Sequence, residues 1–201
     1  MLTLLAMLAQ TATLDADAAK AAISCARAVS AAPGEVDSLR LAAHVGYLTM
    51  QAAKAGPGGR PFFTRLDAAM TEMKGQPVLP AVEARALLSQ CDLRFPLARG
   101  EVAVRLPEDP FRRDLLCLGA IGVMMGAAYG LEEVNGDTRA KDEVAPLFAG
   151  YQARLDQATL ARNGVAGDDQ MSDALADALI ASLALGNAER VMLACKTALA
   201  G

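Results

Sequence analysis

The chain has 201 residues, of which 53% are hydrophobic, 4% aromatic and 21% charged, with a formal net charge of −4. That length can bury a sizeable core in one domain or two small ones. The negative balance argues against a nucleic-acid partner, because phosphate binding needs a basic face; the nearest basic cluster, Arg112–Arg113, lies between Asp109 and Asp114.

The hydrophobic share is mostly Ala, Leu, Val and Met, and such residues favour helix. Only Glu101–Leu106 (EVAVRL) alternates like a strand, and one short strand has no partner. The expected fold is therefore all-α, a multi-helix bundle of seven or eight helices, with well over half of the residues helical.

Residues 1–12 open with the apolar run Leu2–Ala9, followed by the small residues Thr11 and Ala12. The run reads either as a signal peptide or as the first turns of a helix, and export is the expectation carried forward. Residues 13–201 read as a single helical domain. An amphipathic helix covers Asp15–Ser30, and Pro33–Gly34 breaks it. Asp37–Ser38 caps a second helix over Leu39–Ala55. Gly56-Pro57-Gly58-Gly59 stops it, and a third runs from Pro61 to Lys74. Its stripe of Phe62, Phe63, Leu66, Ala69, Met70 and Met73 is a candidate core face. A fourth helix covers Ala81–Leu93. The segment from Arg94 to Asp109 reads as a linker.

Leu115–Leu131 carries no charge, and Gly122, Gly126 and Gly130 recur every fourth residue. It is expected to be the most buried helix, its glycines admitting a close neighbour. Membrane association is the disfavoured alternative, since the run only approaches a spanning length. Helices over Thr138–Arg162, Asp169–Leu185 and Asn187–Ala200 complete the chain.

Two similar halves, 13–96 and 110–201, are also readable. Leu39–Ala53 matches Leu115–Ala128 in composition, and each half ends on a helix bearing a cysteine, Cys91 or Cys195. Any two Ala/Leu-rich helices would show part of this likeness. The four cysteines are widely spaced and form no CxxC motif. They suit two disulfides in an oxidising compartment, periplasmic or secreted, with free thiols in the cytoplasm as the alternative. Four cysteines allow three pairings. Cys25–Cys91 and Cys117–Cys195 are favoured, because each joins an early helix to the last helix of its half. Loops that long contribute about 4 kcal/mol in the chain-entropy account.

Candidate sites are few. Arg40, His44 and Tyr47 share a helical face and could hold a small anion or do acid–base work; a polar helix surface is the plainer reading. Phe62, Phe63, Met124, Met125 and Tyr129 are candidate lining residues for an apolar pocket, and methionines suit varied apolar ligands. Asp169, Asp173 and Asp177 lack the pattern of a calcium loop. With one histidine and no GxSxG or Walker-type loop, neither an enzyme, a cofactor nor a metal is expected.

Three features together resemble a loose group of small exported bacterial helical proteins. They are the apolar leader, the helix start Cys117-x-x-Ala120, and the phrase formed by Gly59, Arg60, Phe62, Phe63 and Arg65. The resemblance implies export and supplies no activity. The expected function is binding or interaction in the cell envelope, with an unknown protein as partner. The alternative is a module that binds a small apolar ligand.

Overall fold

A computed structural model describes residues 13–32, 37–56, 59 and 61–200. The expected leader, the Pro33–Gly34 break, Pro57, Gly58 and Arg60 lie outside the described residues. Among the described residues there are nine helices and no strand, and 75% of them are helical. The helices are α1 (Ala18–Ala31), α2 (Ser38–Ala55), α3 (Phe62–Gly75), α4 (Ala81–Arg94), α5 (Pro110–Asn135), α6 (Arg139–Arg154), α7 (Gln157–Arg162), α8 (Asp168–Ser182) and α9 (Ala188–Ala200).

Aspartates start four of these helices. Asp17, Asp37, Asp109 and Asp156 each accept from backbone N–H groups of the following turn. Such caps satisfy donors that the helix itself cannot and contribute about 1 kcal/mol each. Asp156 also explains a departure from the expected single helix over Thr138–Arg162. Its carboxylate takes the Thr159 N–H at 2.7 Å and starts α7 afresh after Leu155. At the other extreme, α5 is longer than the apolar run suggested. Pro110 occupies its first turn, and Gly136, at φ 72°, ends it in the left-handed region where glycine is favoured. The strand-like segment 101–106 is irregular, with Val104 and Leu106 turned onto the core.

Two apolar cores form. The first is built from α1 to α4 and receives Ala176, Leu179 and Leu183 from α8 and the residue after it. The second is built on α5, α6 and α9, and takes Ala43 from α2. The cysteines pair as expected. Cys25 of α1 bonds Cys91 of α4, with Cα atoms 5.5 Å apart, and Cys117 of α5 bonds Cys195 of α9, at 5.7 Å. All four are buried. In each core a cysteine-bearing first helix thus packs on the next helix and is tied to the last. This framework sets α1 beside α5 in role, whereas the composition match set α2 beside α5.

By length and composition α5 could cross a membrane, with mean hydropathy 1.6 over its most apolar window. Here 56% of that window is buried against the rest of the chain. The glycine face, however, needs correction. A Cβ on Gly119 would lie 3.2 Å from Leu179, and one on Gly122 would lie 3.5 Å from Phe148. Among the described residues, one on Gly126 or Gly130 would meet nothing within 4 Å. The close approach is therefore made at Gly119 and Gly122, and the carboxy-terminal half of the stripe faces open space.

Gly119→Leu is expected to overpack the α5–α8 contact and cost about 1–3 kcal/mol. Gly126→Leu is expected to keep or raise stability, because glycine in a helix costs about 1 kcal/mol. Thermal unfolding of the two variants checks the contrast. Separately, removing Cys25 and Cys91 together should cost about 2–5 kcal/mol, read from denaturant titration.

Candidate functional site

Arg40, His44 and Tyr47 come together on α2, but not as an open surface. His44 and Tyr47 are buried there, whereas Arg40 stays exposed at the edge of α9. Tyr47 is 3% exposed; its hydroxyl donates to the Leu183 carbonyl at 3.1 Å and accepts from Gln51 at 2.8 Å. Arg40 Nε donates to both carboxylate oxygens of Glu189 at 3.1 Å. Asn187 is 1% exposed, and its amide donates to the Ala98 carbonyl at 2.9 Å. Arg190 pairs with Glu101 at 2.6 Å. These contacts form a polar seam between the two cores. The hydrogen bonds of the buried Tyr47 and Asn187 specify how the cores dock.

His44 is buried in this seam. Burial holds its pKa below the ordinary 6.5; Glu189 opposes the shift, while Arg99, Arg40 and Arg190 add to it. A folded state that binds its proton less readily than the unfolded chain loses stability as pH falls. The full contribution is present above the unfolded value of 6.5 and declines below it. His44→Gln should flatten the pH dependence of the melting midpoint between about pH 7 and pH 5. A slope unchanged by the substitution would show that His44 is not its source.

The expected apolar pocket is not assembled from its five candidates. Phe62 is buried in the first core, and Met124 and Met125 are buried in the second. Tyr129 is 55% exposed and stacks under the Lys141 ammonium at 5.6 Å. Of the five, Phe63 lines an apolar cleft, which opens elsewhere on α5. Phe63 sits edge-to-face on Phe62, with ring centroids 5.6 Å apart, and turns outward from the first core. It faces Leu118 and Gly122 of α5, Phe148 and Gln152 of α6, and Met171 and Leu175 of α8. The cleft holds about 430 Å3. Gln152 is the one lining side chain with a polar end. Gly119 and Gly122 make the room, since a side chain at either would stand in it. Helical periodicity placed the glycines on a face but gave no sign of which neighbours cover it.

A second pocket, of about 480 Å3, lies between α1, α2 and α3. Its floor is Ile23, Ala52, Ala53 and Ala69, and Lys20, Arg65 and Glu72 stand around it. Arg65 was noted in the sequence only as the end of a phrase.

Other charged groups serve the fold. Asp114, in the first turns of α5, lies between Arg113 at 3.6 Å and Arg154 at 3.7 Å. Arg154 in turn covers the Tyr151 ring at 5.5 Å, and the Tyr151 hydroxyl donates to the Cys195 carbonyl at 2.9 Å. Asp168 and Asp169 occupy the first turn of α8, where negative charge complements the helix dipole. Among the described residues, no group of three His, Cys, Asp or Glu side chains is placed to hold a metal.

Comparison of the chain with protein-family models, with curated proteins and with solved structures finds no match.

Proposed function

We propose that this chain is a binding protein of an oxidising, extracytoplasmic compartment, and that the Phe63 cleft takes a small apolar ligand. Four cysteines joined in two buried disulfides suit a compartment in which thiols are not kept reduced. The apolar run Leu2–Ala9, read as an export signal rather than as the first turns of a helix, supports the same compartment.

The cleft carries the ligand assignment. Its volume falls within the range of about 300–1,000 Å3 typical of small-molecule sites. Its walls come from four helices and both cores, so a bound molecule would bridge them. An exposed phenylalanine at a cleft mouth leaves apolar area in water that a ligand would cover, at about 25 cal/mol per Å2. A single amide at Gln152 offers one orienting hydrogen bond, which fits a largely apolar molecule with one polar substituent.

The test is a neutral fluorescent probe, N-phenyl-1-naphthylamine, titrated into the folded oxidised protein. Bound probe should brighten, and Gly122→Leu should abolish the signal by filling the cleft. The Gly122 position has only ordinary contact with Phe148, so the variant is expected to fold. Undiminished fluorescence with the filled cleft would overturn the assignment.

A further inference from the structure

We infer that the pocket between α1, α2 and α3 is a second binding site, and that it takes a small amphipathic carboxylate. It is independent of the Phe63 cleft. Phe63 and Arg65 are two residues apart on α3, so they leave the helix in nearly opposite directions.

The floor is apolar and shallow. Ala52, Ala53 and Ala69 are buried, yet each brings only a methyl group. Short side chains at a three-helix junction leave room that longer ones would fill, and the room suits a short hydrocarbon chain.

One end of the pocket is cationic. Arg65 lies in the first turns of α3, its Cδ near the Cβ position of Gly56, and Lys20 lies in the first turn of α1. At the far end Arg27 of α1 reaches the Pro77 carbonyl, just past α3, at 2.7 Å. The two helices therefore run in the same direction, and Lys20 and Arg65 meet at the same end. The amino-terminal end of α3 lies there without a side-chain cap and favours an anion, whereas the amino-terminal end of α1 is already capped by the Asp17 carboxylate. Glu72 stands two turns further along α3 and repels an anion from the opposite end.

Arg65 is also unfinished. Its Nε is buried and, among the described residues, makes no hydrogen bond. A guanidinium presents its donors in a planar fork that matches a carboxylate. A carboxylate seated there would pair with the part of the Arg65 guanidinium that lines the pocket, with Lys20 as a second charge at the rim and the aliphatic body lying on the alanines.

The test is calorimetric titration of the folded, oxidised chain with octanoate, octylamine and octanol. Octanoate should bind, and octylamine and octanol should bind far more weakly. Arg65→Gln should weaken octanoate by about tenfold or more, the usual worth of a charge-assisted hydrogen bond. Ala68→Phe, on the exposed rim, should block the pocket without touching a charge and serves as the second variant. Gly122→Leu should leave octanoate binding unchanged. Absence of octanoate binding, equal binding of octylamine, a smaller loss in Arg65→Gln with binding kept in Ala68→Phe, or loss in Gly122→Leu would each overturn the assignment. The last result would place the fatty chain in the Phe63 cleft instead.

Discussion

Small side chains at the helix contacts are the constraint on which this structure depends. Four of the seven buried residues of α1 are alanines: Ala21, Ala22, Ala26 and Ala28. Each brings about one methyl group to the core, on the order of 0.8 kcal/mol, whereas a buried leucine or isoleucine brings about 1.5–3 kcal/mol. Such helices pack closely but gain little per residue. The two disulfides offset that deficit by tying the first helix of each core to its last. They lie within the cores rather than at the surface, so the cross-links and the thin apolar packing stabilise the same helix pairs.

That constraint also shapes the two pockets. Where glycine or alanine falls at a junction of three or more helices, close approach is not achieved everywhere, and space remains. The Phe63 cleft follows from Gly119 and Gly122 on α5. The Arg65 pocket follows from Ala52, Ala53 and Ala69. The polar seam of Arg40, Tyr47, Asn187 and Glu189 works in the opposite sense. It fills the boundary between cores with hydrogen bonds, and it holds the Phe63 cleft's walls, which belong to both cores, in a fixed relation.

Much of this architecture was legible in the sequence. Aspartates and prolines marked the helix starts, glycines marked several stops, and apolar periodicity located most helices to within a few residues. The cysteine pairing was legible because each favoured pair joined the opening and closing helices of one half. The break at Leu155–Asp156 could have been read as well, since Asp156 stands three residues before Thr159 as a cap. What periodicity could not show was which face a neighbour covers. Arg40, His44 and Tyr47 share a face, yet His44 and Tyr47 are buried and only Arg40 stays exposed. Among the described residues nothing packs on Gly126 or Gly130, and Tyr129 carries only the Lys141 side chain of α6 over its ring. The role of Arg65 depends on its place beside an alanine floor contributed by two helices, and a linear pattern carries no trace of that.

The claim most central to this account is that two specific disulfides frame the two cores in the living cell. Cells would be lysed in excess alkylating reagent without reductant, and the protein digested and mapped by mass spectrometry. The account predicts no alkylated cysteine and two cross-linked peptide pairs, Cys25 with Cys91 and Cys117 with Cys195. An alkylated cysteine in the folded protein, or a linkage between the two cores such as Cys25 with Cys117, would contradict it.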